Sequence, residues 1–241
     1  PDRSGSLQPA APLRHGRSLS YRLRVKVEKH TRHGALALLE FETVAAGILA
    51  SDIMVKRAPI ALLRCGSVHP GRFLVLVGGS VASTEEAYAA GIRSGDSEGA
   101  LFGSVFLGDV HPYLHDAVLG RRRDVDGDAL AVVETRSSPA LLAAVDAAVK
   151  STPVMLAEVR LGDDLGGHAL ALMSGDLTDA ETALSICAER TGDQLLAQSL
   201  LPRLDPDLRS VLGEGTLFRP CSAWEPAGAE YPEEVACSWD A

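Results

Sequence analysis

An internal repeat constrains this chain more than any other feature of its sequence. Residues 35–63 (ALALLEFETVAAGILASDIMVKRAPIALL) align without gaps with residues 129–157 (ALAVVETRSSPALLAAVDAAVKSTPVMLA). A short insertion then shifts the register, and the similarity continues to the end of both copies. The matched pairs include Glu40 and Glu134, Asp52 and Asp146, Lys56 and Lys150, Pro59 and Pro153, Gly71 and Gly167, Gly79 and Gly175, and Pro112 and Pro206. A tandem duplication of this length predicts two similar domains with related cores.

Each repeat has the same pattern of predicted elements. In the first, the apolar strand ALALLEF precedes helical spacing over residues 44–57, and Pro59 ends that helix. Two strands then meet around residues 69–71, the capping-box sequence of residues 83–86 opens a second helix, and the strand LFGSVFL precedes a short final helix. In the second repeat, Ser138 is the predicted N-cap and Pro139 the first helical residue. The order β-α-β-β-α-β predicts an α/β (α+β) chain of two tandem ferredoxin-like domains.

The repeats and the composition divide the chain into five parts. We predict a basic N-terminal extension at residues 1–33, domains at 34–119 and 128–213, a polar linker at 120–127, and a tail at 214–241. The extension carries a charge of +6 and contains a candidate strand over residues 21–29. The tail contains Trp224 and Trp239, so we expect part of it to pack against another surface.

Charge and cysteine content exclude several functional classes. The net charge of −9 argues against nucleic acid as the main partner. No apolar run reaches the roughly 18 residues of a membrane span, and the first residues lack the apolar region of a signal peptide. None of the four cysteines forms a CxxC pair, which favours reduced thiols. Cys65 and Cys187 lie in apolar segments, and we expect Cys65 to point into the packing of its strand.

No catalytic constellation is present in the sequence. The stretch LVGGSVAS is not a GxGxxG motif, and no P-loop, GxSxG or HExxH motif occurs. His111 and His115 are one helical turn apart, which is either a partial metal site or, more simply, the surface of a helix. Asp52 precedes Lys56 by one turn, a spacing typical of a surface ion pair, and Asp146 and Lys150 repeat it.

Both repeats resemble the shell domain of bacterial microcompartments. The similarity runs through ALALLEFETVAAGILASDIMVKRAPIALLRCGSVHPGRFLVLVGGSVASTEEAYAAG and again through ALAVVETRSSPALLAAVDAAVK and GGHALALMSGDLTDAETAL, and so covers about residues 34–213. The elements follow the unpermuted order. The whole is most similar to tandem-domain shell proteins of the propanediol-utilisation type, in which three chains form a flat pseudohexamer. The resemblance implies a structural protein without enzymatic activity or a resident cofactor, located in the shell of a compartment in the bacterial cytoplasm.

The same resemblance implies a tile that joins other tiles. It assigns Lys56 and Lys150 to the tile edge, where Asp52 and Asp146 would orient them. It also assigns an edge arginine to Arg203, in the sequence Pro202-Arg203, whereas the first repeat reads Gly108-Asp109 there. Alternate edges would therefore differ, and three of six would lack the arginine contact. The implied partners are two further copies of this chain, other shell hexamers, trimers and pentamers, and encapsulated enzymes, with no nucleic acid and no membrane.

The loop between the second and third strands of each repeat is implied to line a central pore. The lining residues would be Ser67, Val68, His69, Pro70 and Gly71 in the first repeat, and Asp163, Asp164, Leu165, Gly166 and Gly167 in the second. In the related tandem proteins a cysteine directly before Pro-Gly binds an iron–sulfur cluster, but His69 stands at that position here. Because such clusters are usually held by thiolates, a cubane cluster is not expected.

Three roles remain open for His69, and three classes of function for the chain. The histidine lines a metal-free pore, joins two other copies in holding Zn²⁺ or a similar metal, or lies outside the pore. The leading hypothesis for the chain is a shell tile with a pore for small molecules. The alternatives are a metal-binding or electron-transfer trimer centred on His69, and a ligand-binding regulatory module.

Overall fold

A computed structural model of the protein describes residues 32–217. The predicted strand at residues 21–29 and the two tryptophans of the tail lie outside the described residues.

Two four-stranded units follow one another along the chain. The elements of the first unit are β1 (Ala35–Phe41), α1 (Val44–Arg57), β2 (Leu62–Val68), β3 (Arg72–Gly79), α2 (Val81–Ser97), β4 (Leu101–Leu107) and α3 (Pro112–Val118). Those of the second are β5 (Ala129–Thr135), α4 (Ser138–Ser151), β6 (Met155–Leu161), β7 (Ala169–Gly175), α5 (Leu177–Thr191), a 3₁₀ turn (Gly192–Gln194), β8 (Leu195–Leu201) and α6 (Pro206–Glu214). The predicted order β-α-β-β-α-β is therefore confirmed in both units.

The two sheets have the same topology. Their strand orders are β2-β3-β1-β4 and β6-β7-β5-β8, and every neighbouring pair is antiparallel. Glu40 pairs with Leu74 in the first sheet, and Glu134 pairs with Leu170 at the equivalent place in the second. This shared register makes each residue of one unit comparable with a defined residue of the other.

Two predicted helix starts are wrong, each for a local reason. The N-cap of α4 is Ser137, whose hydroxyl accepts a hydrogen bond from the amide of Ala140, so Ser138 is already the first helical residue. Helix α2 starts at Val81, before the capping-box sequence, because the Ser80 hydroxyl accepts a hydrogen bond from the amide of Ser83. In both cases a serine earlier in the chain than the predicted residue caps the helix.

The hydrophobic core continues from one unit into the other. One face of the first sheet packs on α1 and α2 through β1 and β3 residues such as Leu39, Phe41 and Val75. The opposite face, which includes Leu36 and Leu38, packs with α3 and joins the cluster that contains α4 of the second unit. The two domains are thus packed side by side and share buried apolar surface, which favours a fixed arrangement.

Where the first helix packs on the third strand, the two domains use residues of different size. The helix residue is small and the strand residue large in the first domain, and the reverse holds in the second. In the first domain Gly47 of α1 lies against the ring of Phe73, and a Cβ atom at Gly47 would stand 2.3 Å from that ring. The equivalent residues of the second domain are Leu141 and Ala169, both fully buried. Glycine opposite phenylalanine is therefore replaced by leucine opposite alanine, which conserves the filled volume rather than the residues.

Charged side chains fix the linker to both domains. Arg121 and Arg123 form ion pairs with the buried carboxylate of Asp116 in α3, at 3.5 and 2.9 Å. Arg122 pairs with Glu158 of β6 at 3.1 Å and donates to the carbonyl oxygen of Leu212 at the end of α6. The linker that was predicted only as polar and short is thus held in place along its length.

The structure corrects two expectations about single side chains. Cys65 is exposed on β2 rather than packed, whereas Cys187 is buried, and burial raises the pKa of its thiol to about 12. His115 is buried in α3, and its Nε2 atom accepts a hydrogen bond from the amide of His33 at 3.1 Å. Nδ1 of His111 accepts from the amide of Tyr113, so these histidines form neither a metal pair nor the surface of a solvated helix.

Candidate pore loops and domain junction

The first predicted pore loop is a tight hairpin between β2 and β3. The amide of Gly71 donates to the carbonyl oxygen of Val68 at 2.9 Å, and Gly71 has a φ of 120°, which suits glycine. Val68 is buried, while the peptide bond between His69 and Pro70 is cis and both residues are exposed. The hairpin therefore presents the imidazole of His69 at its tip.

The second loop is longer and is built from backbone turns. The amide of Gly162 donates to the carbonyl oxygen of His168, and the amide of His168 donates to that of Leu165. Asp164, Gly166 and Gly167 all have positive φ angles. The exposed tip thus carries the two adjacent carboxylates of Asp163 and Asp164.

The two loops lie against each other within one chain. A Cβ atom on Gly167 would approach the carbonyl oxygen of His69 to 2.8 Å and Cδ of Pro70 to 2.9 Å. A Cβ atom on Gly162 would approach Val68 to 3.0 Å. The predicted lining residues of both repeats are therefore neighbours in space, and glycine is required where the loops touch.

A single chain supplies His69 with no set of metal ligands. Within residues 32–217, no three His, Cys, Asp or Glu side chains are grouped so that they could hold a metal ion. Any metal at His69 would need imidazoles from further copies.

A buried carboxylate joins the first domain to the second. Glu40 of β1 is fully buried, and its Oε2 accepts a hydrogen bond from the amide of Ser138, the first residue of α4, at 2.9 Å. Its Oε1 accepts from Arg72 at 2.9 Å, and Arg72 also donates to the carbonyl oxygen of Arg136. The guanidinium group lies 3.4 Å from the ring centre of Phe102, a cation–π contact. Together these bonds bind the start of α4 to the first sheet.

The environment of Glu40 acts on its pKa in both directions. Burial raises the pKa, while Arg72 and the amide of Ser138 favour the charged carboxylate; the net shift is upward from 4.5. Sequence reasoning matched Glu40 to Glu134 but assigned neither a role. The role of Glu40 could have been suspected from one signal in the sequence. Both repeats have a carboxylate at the same place in an otherwise apolar strand.

The two predicted edge pairs have different surroundings. Lys150 and Asp146 form an ion pair at 2.6 Å, but Asp146 is buried and also accepts a hydrogen bond from the amide of His111 at 2.9 Å. Lys150 donates to the carbonyl oxygen of Asp109 as well. This pair therefore lies in the junction between the domains. Lys56 and Asp52 form the same ion pair at 2.6 Å on an exposed surface.

One surface of the first domain, formed by α1 and β2, is exposed, whereas the equivalent surface of the second domain is buried. We call the exposed surface of the first domain the α1–β2 face. Its apolar side chains are Val44, Ile48, Val55 and Leu63, with exposed fractions of 37, 56, 45 and 44%. The equivalent residues Ser138, Leu142, Val149 and Leu156 are 0, 1, 5 and 0% exposed, because β4 and α3 of the first domain cover them. Leu156 is the equivalent of Leu63 by sheet register, since it pairs with Met173 as Leu63 pairs with Val77, and a bulge in β6 shifts the sequence alignment by one residue. At the other end of the chain, β8 and α6, the equivalents of β4 and α3, have no buried residue; we call this the β8–α6 face.

Arg203 is exposed beside the β8–α6 face, on the turn between β8 and α6. Its equivalent Asp109 is the residue whose carbonyl oxygen receives the Lys150 hydrogen bond. The arginine that the resemblance implies for the tile edge thus lies beside the β8–α6 face.

Comparison with known proteins identifies the family of this fold. The family model of the BMC domain matches residues 35–109 and again 129–204. The chain therefore belongs to the BMC-domain family, and it is a tandem-type microcompartment shell protein.

Individual relatives agree with this assignment. The chain is 32% identical to "Bacterial microcompartment shell protein PduT" of Citrobacter freundii over 75% of this chain and 98% of that protein. It is 27% identical to "Carboxysome assembly protein CcmO" of Synechocystis over 76% of this chain and 66% of that protein. The crystal structure of a microcompartment protein from Desulfitobacterium hafniense superposes with a TM-score of 0.64 at 28% identity, over 73% of this chain and 98% of that one. Among residues 32–217 no helix is both long and apolar enough to cross a membrane.

Proposed function

We propose that three copies of this chain close into a ring of six domains, a flat shell tile with a central pore. The observation that carries the proposal is the contrast between the two domains. The α1–β2 face is apolar and uncovered, while the same face of the second domain is buried by its neighbour. Repeating the internal contact between copies would cover each α1–β2 face with the β8–α6 face of the next copy. Head-to-tail contacts of this kind produce rings when the rotation closes.

The polar contacts of the junction support the same arrangement. Asp146 accepts a hydrogen bond from the amide of His111, and Lys150 donates to a carbonyl oxygen nearby. Asp52 and Lys56 hold the same relative geometry without such partners from a second domain. In the ring, the turn that carries Arg203 would supply these partners from the next copy.

The pore of the proposed ring would be lined by the two touching loops of each chain. Three copies would place the imidazole of His69 and the carboxylates of Asp163 and Asp164 in alternation around one axis. An opening lined by these groups favours small polar molecules. We assign His69 to the pore rim without a resident metal.

The tile would act by assembly and selective passage rather than by catalysis. The proposed partners are two copies of this chain, other shell hexamers, trimers and pentamers, and the enzymes inside the compartment. The proposed place is the shell of a microcompartment in the bacterial cytoplasm, without contact to membrane or nucleic acid. The relatives named as shell and assembly proteins support this role.

The mass of the particle in solution tests the proposal. Native mass spectrometry and light scattering are expected to find three copies of the 25.3 kDa chain. Burying the apolar side chains of the α1–β2 face is the physical reason, because exposed apolar surface of this extent is unfavourable in water. Ile48→Glu, at the centre of that face, is expected to give monomers, whereas Glu85→Lys on α2 should leave the trimer intact. A wild-type monomer or dimer would contradict the ring and favour a regulatory module.

A further inference from the structure

We propose that the cleft between the start of α3 and the end of α4 binds a small organic anion, a carboxylate or a phosphate ester. The cleft has a volume of about 530 Å³, which is within the usual range for small-molecule sites. None of the described residues that line it is acidic. The lining combines apolar and polar side chains and includes Val149, Val154, Arg32, His111, Tyr113 and Thr152. Because these residues belong to one chain, the proposal does not depend on the ring.

The two basic side chains of the cleft can donate further hydrogen bonds. The side chain of Arg32 is 55% exposed, and its ion pair with Asp116 is a single contact of 3.4 Å. Nδ1 of His111 accepts a hydrogen bond from the amide of Tyr113, so the neutral ring carries its proton on Nε2. A guanidinium group and an Nε2–H group are both suitable donors to carboxylate or phosphate oxygens.

Cations outnumber anions beside the cleft. The guanidinium groups of Arg32, Arg121 and Arg123 share one carboxylate oxygen, Oδ2 of Asp116. Nη2 of Arg121 and Nη1 of Arg123 are buried and have no hydrogen-bond partner among the described residues. The guanidinium carbon of Arg123 lies 4.4 Å from the ring centre of Tyr113, which connects this cluster to the lining of the cleft. The excess positive charge therefore attracts anions to the cleft.

The pKa of His111 responds to the same charges. This pKa is lowered, most of all by burial, whereas Asp146 acts to raise it. Lys150, Arg123 and Arg32 each lower the pKa further. Three cations thus act on the imidazole against one carboxylate, and a bound anion would offset their repulsion.

The second repeat has acidic residues where the first repeat has the polar lining of the cleft. In the alignment of the repeats, the matched pairs are Arg32 and Asp126, His111 and Asp205, Tyr113 and Asp207, and Thr152 and Ala58. Carboxylates at these places would repel an anion. We therefore expect one anion site per chain rather than one per domain.

Isothermal titration calorimetry of the full-length protein tests the site with benzoate, phenyl phosphate and uncharged benzamide. We expect one benzoate or phenyl phosphate to bind per chain, and benzamide to bind at least about tenfold more weakly because it lacks the charge. Arg32→Gln should weaken the binding of both anions about tenfold. His111→Asn should have a similar effect, since asparagine keeps an acceptor that can cap α3 but lacks the Nε2–H donor.

Arg57→Gln is the matched control, because it removes an arginine that is half-exposed and does not line the cleft. Its affinity for both anions should equal that of the wild type. Equal binding of benzamide and benzoate, or anion binding that is unchanged in both Arg32→Gln and His111→Asn, would overturn the site. A trimer that binds neither anion would overturn this proposal and leave the ring intact, whereas a monomer that binds one anion would do the reverse.

Discussion

At the scale of single residues, the two domains reach the same packing with different partners. Gly47 makes room for Phe73 in the first domain, and at the equivalent places in the second domain Leu141 and Ala169 are both fully buried. A similar exchange surrounds Gly91, where a Cβ atom would stand 2.6 Å from the sulfur of Met54. Each position is therefore constrained by its partner more than by its counterpart in the other repeat.

A swap of the pair tests this dependence. Gly47→Leu should destabilise the protein by about 2 kcal/mol through overpacking against Phe73, and Phe73→Ala by about 3 kcal/mol through a cavity. The double variant recreates the pair of the second domain, so we expect most of the loss to be recovered, with an interaction energy of about 3 kcal/mol. Urea unfolding measures all three free energies.

The control for this cycle is Leu76→Ala, which removes a buried side chain on the opposite face of the same sheet. Its effect should add to that of Gly47→Leu without recovery. Simple additivity in the Gly47/Phe73 cycle as well would show that the two residues do not share one space.

At the scale of elements, the linker and α3 form one charged cluster around Asp116. Burial alone would raise the pKa of Asp116, but the hydrogen bonds and charges of Arg123, Arg121, Arg32 and His115 together lower it from 3.8. The folded state thus favours the carboxylate. The resulting stabilisation is present above pH 3.8 and is lost as the pH falls through the lower folded value.

We expect Asp116→Asn to lower the free energy of unfolding by about 3 kcal/mol at pH 7, because it leaves several guanidinium groups without their shared anion. The deficit relative to wild type should narrow as the pH falls below 3.8. Urea unfolding at a series of pH values provides the measurement. Glu86→Gln, which removes a half-exposed partner of Arg57, should cost less than about 1 kcal/mol. Equal losses for the two variants at pH 7 would contradict the role of the cluster.

Local sequence predicted the elements better than the contacts between them. Helix α1 and strand β1 could be predicted because apolar spacing and Pro59 act within a few residues. The attachment of α4 to the first domain could not be predicted, because the amide of Ser138 is bound by Glu40, which is distant in the sequence. The burial of Asp146 was missed for the same reason, since a spacing of one turn says nothing about a second domain.

At the scale of the whole molecule, we propose that the exposed Lys56 on α1 lies at the edge where tiles meet. We expect Lys56→Ala combined with Lys150→Ala to keep the trimeric mass but to prevent extended layers, as seen by negative-stain electron microscopy. The reason is the position that family resemblance assigns to these lysines at the tile edge. Because Lys150 also binds Asp109 across the internal junction, each single variant should be measured as well.

Arg57→Ala is the matched control for the layers, since it removes a neighbouring exposed cation that pairs with Glu86 on α2. Layers of normal extent in the double lysine variant would contradict the edge role, as would their loss in Arg57→Ala.

The exchange of bulk between Gly47 and Phe73 also bears on how the gene for such a chain can change. A segment moved from one half of the gene to the other has to bring both residues of the pair. A copied tract that carried phenylalanine to position 169 without glycine at 141 would force a ring against Leu141, and the reverse tract would leave alanine facing Gly47 across an empty space. Each half of the core therefore accepts only changes that keep its own pair of residues matched in size.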